Sequence, residues 1–151
     1  MTTEIQTPVG APPDAPGFVI LKHFLVDLSV ENPPGRLPDQ YLREIRTDQG
    51  VNVVVASLPN GVYRVDIFVR LAAMAGLQTI FVIEMNYQAE VTLHLVAPED
   101  APEVLHVQVP DALLPIIREI FESNGRFAGY PELRLIGLDF ASPFEAAKAG
   151  S

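Results

Sequence analysis

Hydrophobic and polar residues alternate along four segments of the chain, which is the pattern of β-strands with one buried face. The third segment has Tyr63, Val65, Ile67, Val69 and Leu71 on one face and Arg64, Asp66, Phe68 and Arg70 on the other. The other predicted strands cover Phe18 to Val30, Val51 to Leu58 and a segment that begins at Leu77. Pro59 to Gly61 predicts a tight hairpin turn between the second and third strands.

The first strand carries carboxylates on one predicted face. Its alternation places Phe24, Val26, Leu28 and Val30 on one face and Asp27, Ser29 and Glu31 on the other. The carboxylates of Asp27 and Glu31 are then roughly 13 Å apart at ~3.3 Å per residue, too far for a metal or catalytic pair. In the fourth strand, Val82 and Glu84 alternate with the apolar set Phe81, Ile83, Met85 and Tyr87.

The lengths of the connections predict the order of the strands. Short turns join strands two to four, whereas about twenty residues, rich in proline and irregular to about Gly50, follow the first strand. Within them Tyr41 to Ile45 is a candidate helical turn. The first strand can therefore return beside the fourth, as in a Greek key. That order would gather Asp27, Glu31 and Glu84 into one acidic field around Val82, or simply into an ordinary solvated strand face.

Two helices follow a proline-rich and acidic crossover from Val96 to Pro110. The first has an apolar stripe of Leu113, Ile116, Ile117, Ile120 and Phe121. Asn124 and Gly125 are expected to end it. Ser142 is the predicted N-cap of a short second helix, with Pro143 at its first position and Glu145 completing a capping box. We expect an α+β domain with a four-stranded antiparallel Greek-key sheet and a long and a short helix on one face.

Composition narrows the domain organisation and the partners. Residues 1–17 contain four prolines and predict a disordered tail, and residues 18–151 predict one domain. Ten Lys and Arg against 19 Asp and Glu give a net charge of −9, which disfavours nucleic acid as a partner. The mean hydropathy of +0.23 is high for so acidic a chain. We therefore expect an oligomer, an apolar groove or both, with an ordinary apolar-rich core as the alternative.

Signatures of catalysis and metal binding are missing from the sequence. His23, His94 and His106 lack the spacing of a metal site, and the chain has no cysteine, phosphate-binding loop or nucleophile elbow. We expect neither an enzyme nor a cofactor. The longest mostly apolar run, Leu71 to Ile83, is too short to span a bilayer and no secretory signal is recognisable, so a cytoplasmic protein is the simplest interpretation.

Three motifs of the chain resemble the SecB family of bacterial protein-export chaperones. "DLSVENP" at Asp27–Pro33 is similar to the family's first-strand motif, with Val30 where Phe is usual. "LLPIIRE" at Leu113–Glu119 resembles its helix motif, and "GYPELRLIGLDF" at Gly129–Phe140 resembles the segment before its last helix, with Gly137 replacing Pro. The motifs occur in the family's order and extend the resemblance from Phe18 to about Phe144. The final helix is shorter than is typical of the family.

The resemblance implies an ATP-independent holdase that binds unfolded preproteins and delivers them to the SecA translocase ATPase. Asp27, Glu31, Val82 and Glu84 match the family's SecA-binding face. The family's tetramer, a dimer of dimers, implies an interface formed by Phe81, Ile83, Met85, Tyr87, Leu113, Ile116, Ile117 and Ile120. For the client groove we name Tyr41, Leu42, Phe140 and Phe144, each of which ordinary core burial would also explain.

Two alternatives remain open at the level of sequence. A SecB-like chaperone can serve a toxin–antitoxin pair, which the motifs do not distinguish from an export chaperone. A different class is a small-molecule-binding or enzymatic α+β domain, which would need one enclosed pocket with convergent polar groups.

Overall fold

The structure, a computed structural model, describes residues 15–32 and 45–150. Its four strands are β1 (Gly17–Glu31), β2 (Ile45–Ser57), β3 (Val62–Ala75) and β4 (Gln78–His94). They form one antiparallel sheet in the order β1-β4-β3-β2, which confirms the predicted Greek-key placement of the first strand. The predicted hairpin turn is a 3-10 turn at Pro59–Gly61, where Asn60 and Gly61 have φ of 66° and 75°.

The second strand is longer than its hydrophobic pattern predicts. β2 begins at Ile45, opposite Ala75, and pairs with β3 without a break to Ser57. The prediction of irregular chain up to Gly50 is therefore wrong, because pairing with β3 holds residues that carry no apolar alternation of their own. Most of the predicted helical turn at Tyr41 to Ile45, and most of the predicted tail, lie outside the described residues.

Bulges at Leu21 and Val26 change the faces of β1. Neither residue has a partner on β4 in the register, and a one-residue insertion exchanges the faces before and after it. Asp27, Ser29 and Glu31 share the outer face, which we define as the side of the sheet opposite the core. Phe24 pairs with Gln88 and joins them there, so its predicted place beside Leu28 and Val30 is wrong.

The long helix begins earlier and ends later than predicted. A helical turn at Ala101–Glu103 and a π-helical turn at Val104–Gln108 lead directly into α1 (Val109–Phe127). Much of the predicted crossover is thus helical, and Pro115 lies inside the helix rather than near its start. Gly125 does not end α1, which continues to Phe127, and it instead leaves space for the side chain of Leu133 to pack against the helix.

The short helix α2 (Ala141–Ala149) is capped by a different residue from the one predicted. The carboxylate of Asp139 accepts hydrogen bonds from the backbone N–H of Ala141 at 2.9 Å and of Ser142 at 3.3 Å. The prediction of Ser142 as N-cap is therefore wrong, since the helix starts one residue before it. Burial of Phe140 fixes α2 to the core at this end.

The core lies between the inner face of the sheet and α1. It includes Ile67 and Phe81 from the sheet and Ile117 and Phe121 from the helix, all fully buried. Leu135 completes it from the segment before α2, where Arg118 Nε donates to its carbonyl at 3.2 Å. None of the helices that the structure describes is long and apolar enough to cross a membrane.

Candidate functional site

Three of the predicted carboxylates meet at one end of the outer face. Ser29 lies directly opposite Glu84, so Asp27 and Glu31 occupy the two diagonal positions beside Glu84. Diagonal neighbours in a sheet have Cβ atoms roughly 7–8 Å apart. Val82 lies opposite Glu31 on the same face. The structure thus brings together all four residues that the family resemblance implies for this face.

Basic residues that the sequence reasoning missed also reach this surface. Arg70 Nε lies 3.0 Å from Glu84 Oε1, and Arg46 enters the same face opposite Met74. Asp48 adds a fourth carboxylate opposite Ala72. We call the six charged residues Asp27, Glu31, Arg46, Asp48, Arg70 and Glu84 the acidic end. Its four carboxylates outnumber its two guanidinium groups, so it keeps a negative charge.

The other end of the outer face is balanced in charge. Lys22 pairs with Glu90 at 3.5 Å, and Arg64 pairs with Asp66 at 3.1 Å. Gln88 also donates to Asp66 at 2.8 Å. Among the described residues no ion pair engages Asp27 or Glu31. The negative charge of the sheet is therefore concentrated at the acidic end.

Val82 and Phe68 differ in how much apolar surface they offer. The side chain of Val82 is 7% exposed, so most of it is already packed within the chain. Phe68, on the same face in β3, is 39% exposed. Its place among Arg64, Asp66 and Arg70 in the polar half of the β3 alternation was the signal that could have found it.

An open groove follows the free edge of β2. It has a volume of about 360 Å³ and is lined by Val51, Asn52, Val53, His106, Phe140, Pro143, Phe144, Ala147 and Lys148. We call it the β2-edge groove. Among the described strands β2 pairs only with β3, so no described strand covers its outer edge, and three residues of this strand line the groove.

Phe144 is held in the wall of the β2-edge groove by two contacts. The His106 ring stacks on it with 5.6 Å between centroids and an interplanar angle of 29°. The Nζ atom of Lys148 lies 5.6 Å from the same ring on its own helix. His106 is fixed in turn by a 2.9 Å contact between its Nδ1 and the carbonyl of Pro102.

The structure describes two of the four residues predicted for a client groove. Phe140 and Phe144 both line the β2-edge groove, Phe140 with its ring almost fully buried and Phe144 half-buried. Tyr41 and Leu42 lie outside the described residues. The groove therefore includes two of the four predicted side chains and adds the edge of β2, which the sequence reasoning did not propose.

Most of the predicted interface residues are covered by their own chain. The buried members are Phe81, Ile83, Met85, Tyr87, Leu113 and Ile117, whereas Ile120 is half-buried and Ile116 is 38% exposed. Apolar exposure is instead concentrated along the free edge of β1, at Leu21, Leu25, Val26 and Val30. We call these four residues the β1 strip. The larger predicted set stays a prediction for the assembled protein.

Tyr87 and Asp111 are ionisable groups with raised pKa values. Burial raises the pKa of Tyr87, whose hydroxyl lies 2.7 Å from His23 Nδ1. Burial and the nearby charge of Asp139 raise the pKa of Asp111. Residues 15–32 and 45–150 contain no group of three His, Cys, Asp or Glu side chains arranged to hold a metal ion. The acidic end, the β2-edge groove and the β1 strip are suited to binding polypeptides by apolar and charged contacts.

Comparisons with known proteins agree with this architecture. The model of a family described as preprotein translocase subunit SecB matches residues 12–150. The protein-export protein SecB of Rhodopseudomonas palustris strain BisB5 is 32% identical over 136 residues, covering 87% of this chain and 85% of the relative. That of Caulobacter vibrioides strain NA1000 / CB15N is 30% identical over 147 residues, covering 95% and 88%.

A solved structure shows the same fold. It is a SecB-like chaperone of Mycobacterium tuberculosis in complex with a ChAD peptide from the HigA1 antitoxin, with a TM-score of 0.66 at 20% identity. The similarity covers 80% of this chain and 90% of that one. With the family match spanning nearly all of its domain and relatives at 30% identity or more, the chain belongs to the SecB family of protein-export chaperones.

Proposed function

We propose that this SecB-family chaperone is a cytoplasmic, ATP-independent holdase that binds unfolded preproteins and delivers them to the SecA translocase ATPase. The observation that carries the proposal is the β2-edge groove, which combines an unpaired strand edge with apolar side chains. A strand edge pairs with any extended backbone, and apolar burial is non-directional. Such a groove accepts many sequences provided that they are unfolded.

The acidic end of the outer face is the proposed SecA surface. Asp27 and Glu31 are free of ion pairs within the described structure, whereas Glu84 shares its charge with Arg70. Charged surfaces accelerate encounter with an oppositely charged partner more than they add affinity. Because Val82 is largely packed within the chain, we assign it a small share of the contact.

The proposed assembly is a homotetramer, a dimer of dimers. The β1 strip lies on an edge that no described strand pairs with, where a second copy could extend the sheet and cover its apolar side chains. Ile116 on α1 offers a second uncovered contact. Together these positions agree with the high mean hydropathy, which an exposed single subunit does not explain.

Two measurements test the holdase proposal directly. Light scattering should give four times 16.5 kDa, the mass of one chain. The assembled protein should also bind a reduced, unfolded polypeptide and ignore its folded form. A monodisperse monomer, or a preference for the folded polypeptide, would contradict the proposal.

A matched pair of variants assigns client binding to the groove. Phe144→Asp places a charge in the apolar wall and should weaken the capture of unfolded polypeptide, while Leu77→Asp, at a 96% exposed site outside the groove, should not. Leu77 is almost fully exposed but Phe144 is half-buried, so circular dichroism of both variants checks that each is folded. Equal capture by the two variants would argue against the β2-edge groove as the client site.

Charge reversal tests the SecA surface separately. Replacing Asp27, Glu31 and Glu84 by lysine should weaken SecA binding and leave client capture and assembly intact, because all three lie on the outer face away from the groove. Normal SecA binding by this triple variant at low salt would remove the acidic end from the proposal.

A toxin–antitoxin role is the second candidate, favoured by the peptide complex of the Mycobacterium tuberculosis neighbour. It predicts that one antitoxin segment competes for the groove far better than unfolded preproteins do. Competition between an antitoxin peptide and a preprotein for one labelled client separates the two roles.

A further inference from the structure

A depression in the outer face adjoins the acidic end. It has a volume of about 530 Å³ and is centred on Phe68, Asn52 and Asn86, with Gly50, Arg70 and Glu84 at its border. We call it the Phe68 depression. Asn52, Phe68, Asn86 and Asp27 form one cross-strand row through all four strands of the sheet. The aromatic ring therefore lies in the middle of a polar row, separated from Asp27 by Asn86 and diagonal to Glu84.

Gly50 keeps one side of the Phe68 depression open. A Cβ atom at this position would meet no other atom within 4 Å, and the backbone φ of Gly50 is outside the left-handed region. Neither close packing nor backbone conformation thus requires a glycine here. Its effect on the structure is to leave space beside Phe68, diagonally across the β2–β3 pair.

Asn86 supplies the depression with an adaptable polar group. Its Oδ1 atom is buried and has no hydrogen-bond partner among the described residues. A buried acceptor without a partner is costly in a sheet. Because the oxygen gives up no hydrogen bond when the amide rotates, Asn86 can turn either its oxygen or its NH₂ group towards an occupant.

The charges around the depression select the occupant. Asp27 lies across from Asn86 and has no ion pair with any described residue, Asp48 lies on the same face of β2, and Arg70 is already engaged by Glu84. A cation finds free carboxylates at this border, whereas an anion would approach a net negative surface. The chemistry therefore favours a basic segment with one apolar side chain that can cover Phe68.

We propose that the Phe68 depression is a specificity pocket for a basic peptide segment, which places an apolar side chain on Phe68, a hydrogen-bonding group at Asn86 and its cations beside Asp27. The proposal rests on the proposed function, since the segment would belong to the protein that docks on the acidic end. It adds that docking is not purely electrostatic and discriminates among basic sequences by their apolar residue.

The test uses the assembled protein and three pentapeptides of four lysines around a central phenylalanine, leucine or alanine. In calorimetric titrations at low salt, we expect the phenylalanine peptide to bind roughly tenfold tighter than the alanine peptide, the effect of burying one apolar side chain. Phe68→Ala should abolish this preference, and Gly50→Leu should do the same by filling the depression. Val54→Ala, an exposed apolar residue of the same face, should retain it.

The outcomes separate this inference from the proposed function. Equal binding of the three peptides by the wild-type protein would contradict the specificity pocket. A preference for phenylalanine that persists in Phe68→Ala would contradict it too. Either result would do so even when charge reversal of the acidic end abolishes SecA binding. If SecA binding survives charge reversal while the peptide preference depends on Phe68, the pocket stands and the proposed SecA surface fails. Circular dichroism of Phe68→Ala and Gly50→Leu checks that each variant is folded.

Discussion

Gly125 shows how one residue in a helix can depend on a distant segment. A Cβ atom added to it would lie 2.7 Å from Leu133 Cδ2 and 3.0 Å from Leu133 Cβ. Gly125→Ala should therefore lower the free energy of unfolding by about 1–3 kcal/mol, despite the better helix propensity of alanine. Urea unfolding monitored by circular dichroism measures the change.

Gly50→Ala is the control for this prediction, since its added Cβ atom meets nothing. Its unfolding midpoint should equal or slightly exceed that of the wild type, because alanine at a compatible site loses less backbone entropy on folding than glycine. An equal loss in both variants would contradict the packing argument. The sequence predicted that Gly125 ends the helix because glycine often does so after a polar residue. Only the position of Leu133, eight residues away around a turn, reveals its packing role.

Asp139 gives a residue-level prediction for the pH dependence of α2. Hydrogen bonds from the Ser142 side chain and from the Ala141 N–H lower the pKa of its carboxyl group below the ordinary value. A lowered pKa in the folded state stabilises the protein above the unfolded-state pKa of about 3.9, and this contribution is lost as the pH falls through the folded-state pKa. Asp139→Ala should melt at a lower temperature than the wild type at pH 7.

The difference in melting temperature between the two proteins should shrink as the pH falls from about 5 to about 2, where the wild-type carboxylate becomes protonated. Asp139→Asn keeps a capping oxygen that does not titrate. The melting temperature of this variant should therefore lack the fall at low pH that protonation of the Asp139 carboxylate causes. A constant difference between the wild type and Asp139→Ala across this range would contradict the assignment of Asp139 as the cap.

At the scale of elements, the sequence predicted β3 and β4 well and β1 only in part. Alternation in β3 and β4 predicts the inner-face side chains from Val65 to Leu71 and from Phe81 to Tyr87, and pairing on both sides holds these stretches in register, whereas Ile80 is a bulge without a partner on β3. β1 has one paired edge and two bulges, so Phe24 changes face. The hydrophobic pattern of a single strand does not reveal a bulge, because a bulge is defined by the register with the neighbouring strand.

The β1 strip yields a prediction about assembly. Leu25→Asp places a charge on an unpaired strand edge and should lower the solution mass, because a desolvated carboxylate opposes pairing with a second copy. Light scattering and analytical ultracentrifugation measure the mass. Leu77→Asp, at an almost fully exposed apolar residue in the turn between β3 and β4, is the matched control and should leave the mass unchanged. A tetramer in both variants would exclude the β1 strip from the interface.

At the scale of the whole molecule, the resemblance located the acidic face but not its charge balance. Asp27, Glu31 and Glu84 were predicted to lie together, and the strand order places them together. Arg70 and Asp48 were missed because cross-strand partners depend on the register of β2 and β3, which no local pattern specifies. The sequence predicted Phe140 and Phe144 of the β2-edge groove but not the edge of β2. The reason is similar, since the groove joins the sheet edge to a helix that lies far along the chain.

The acidic end and the β2-edge groove should differ in how strongly they respond to salt. Raising the ionic strength from about 0.01 M to about 0.1 M shortens the screening length from about 30 Å to about 10 Å. The rate of SecA association should then fall about tenfold or more, because long-range attraction by the acidic end drives the encounter. Capture of an unfolded client in the apolar β2-edge groove should change little, since burial of apolar surface is not screened. Stopped-flow fluorescence with labelled SecA and labelled client on one preparation compares the two rates, and a parallel fall in both would mean that the surfaces are not separate.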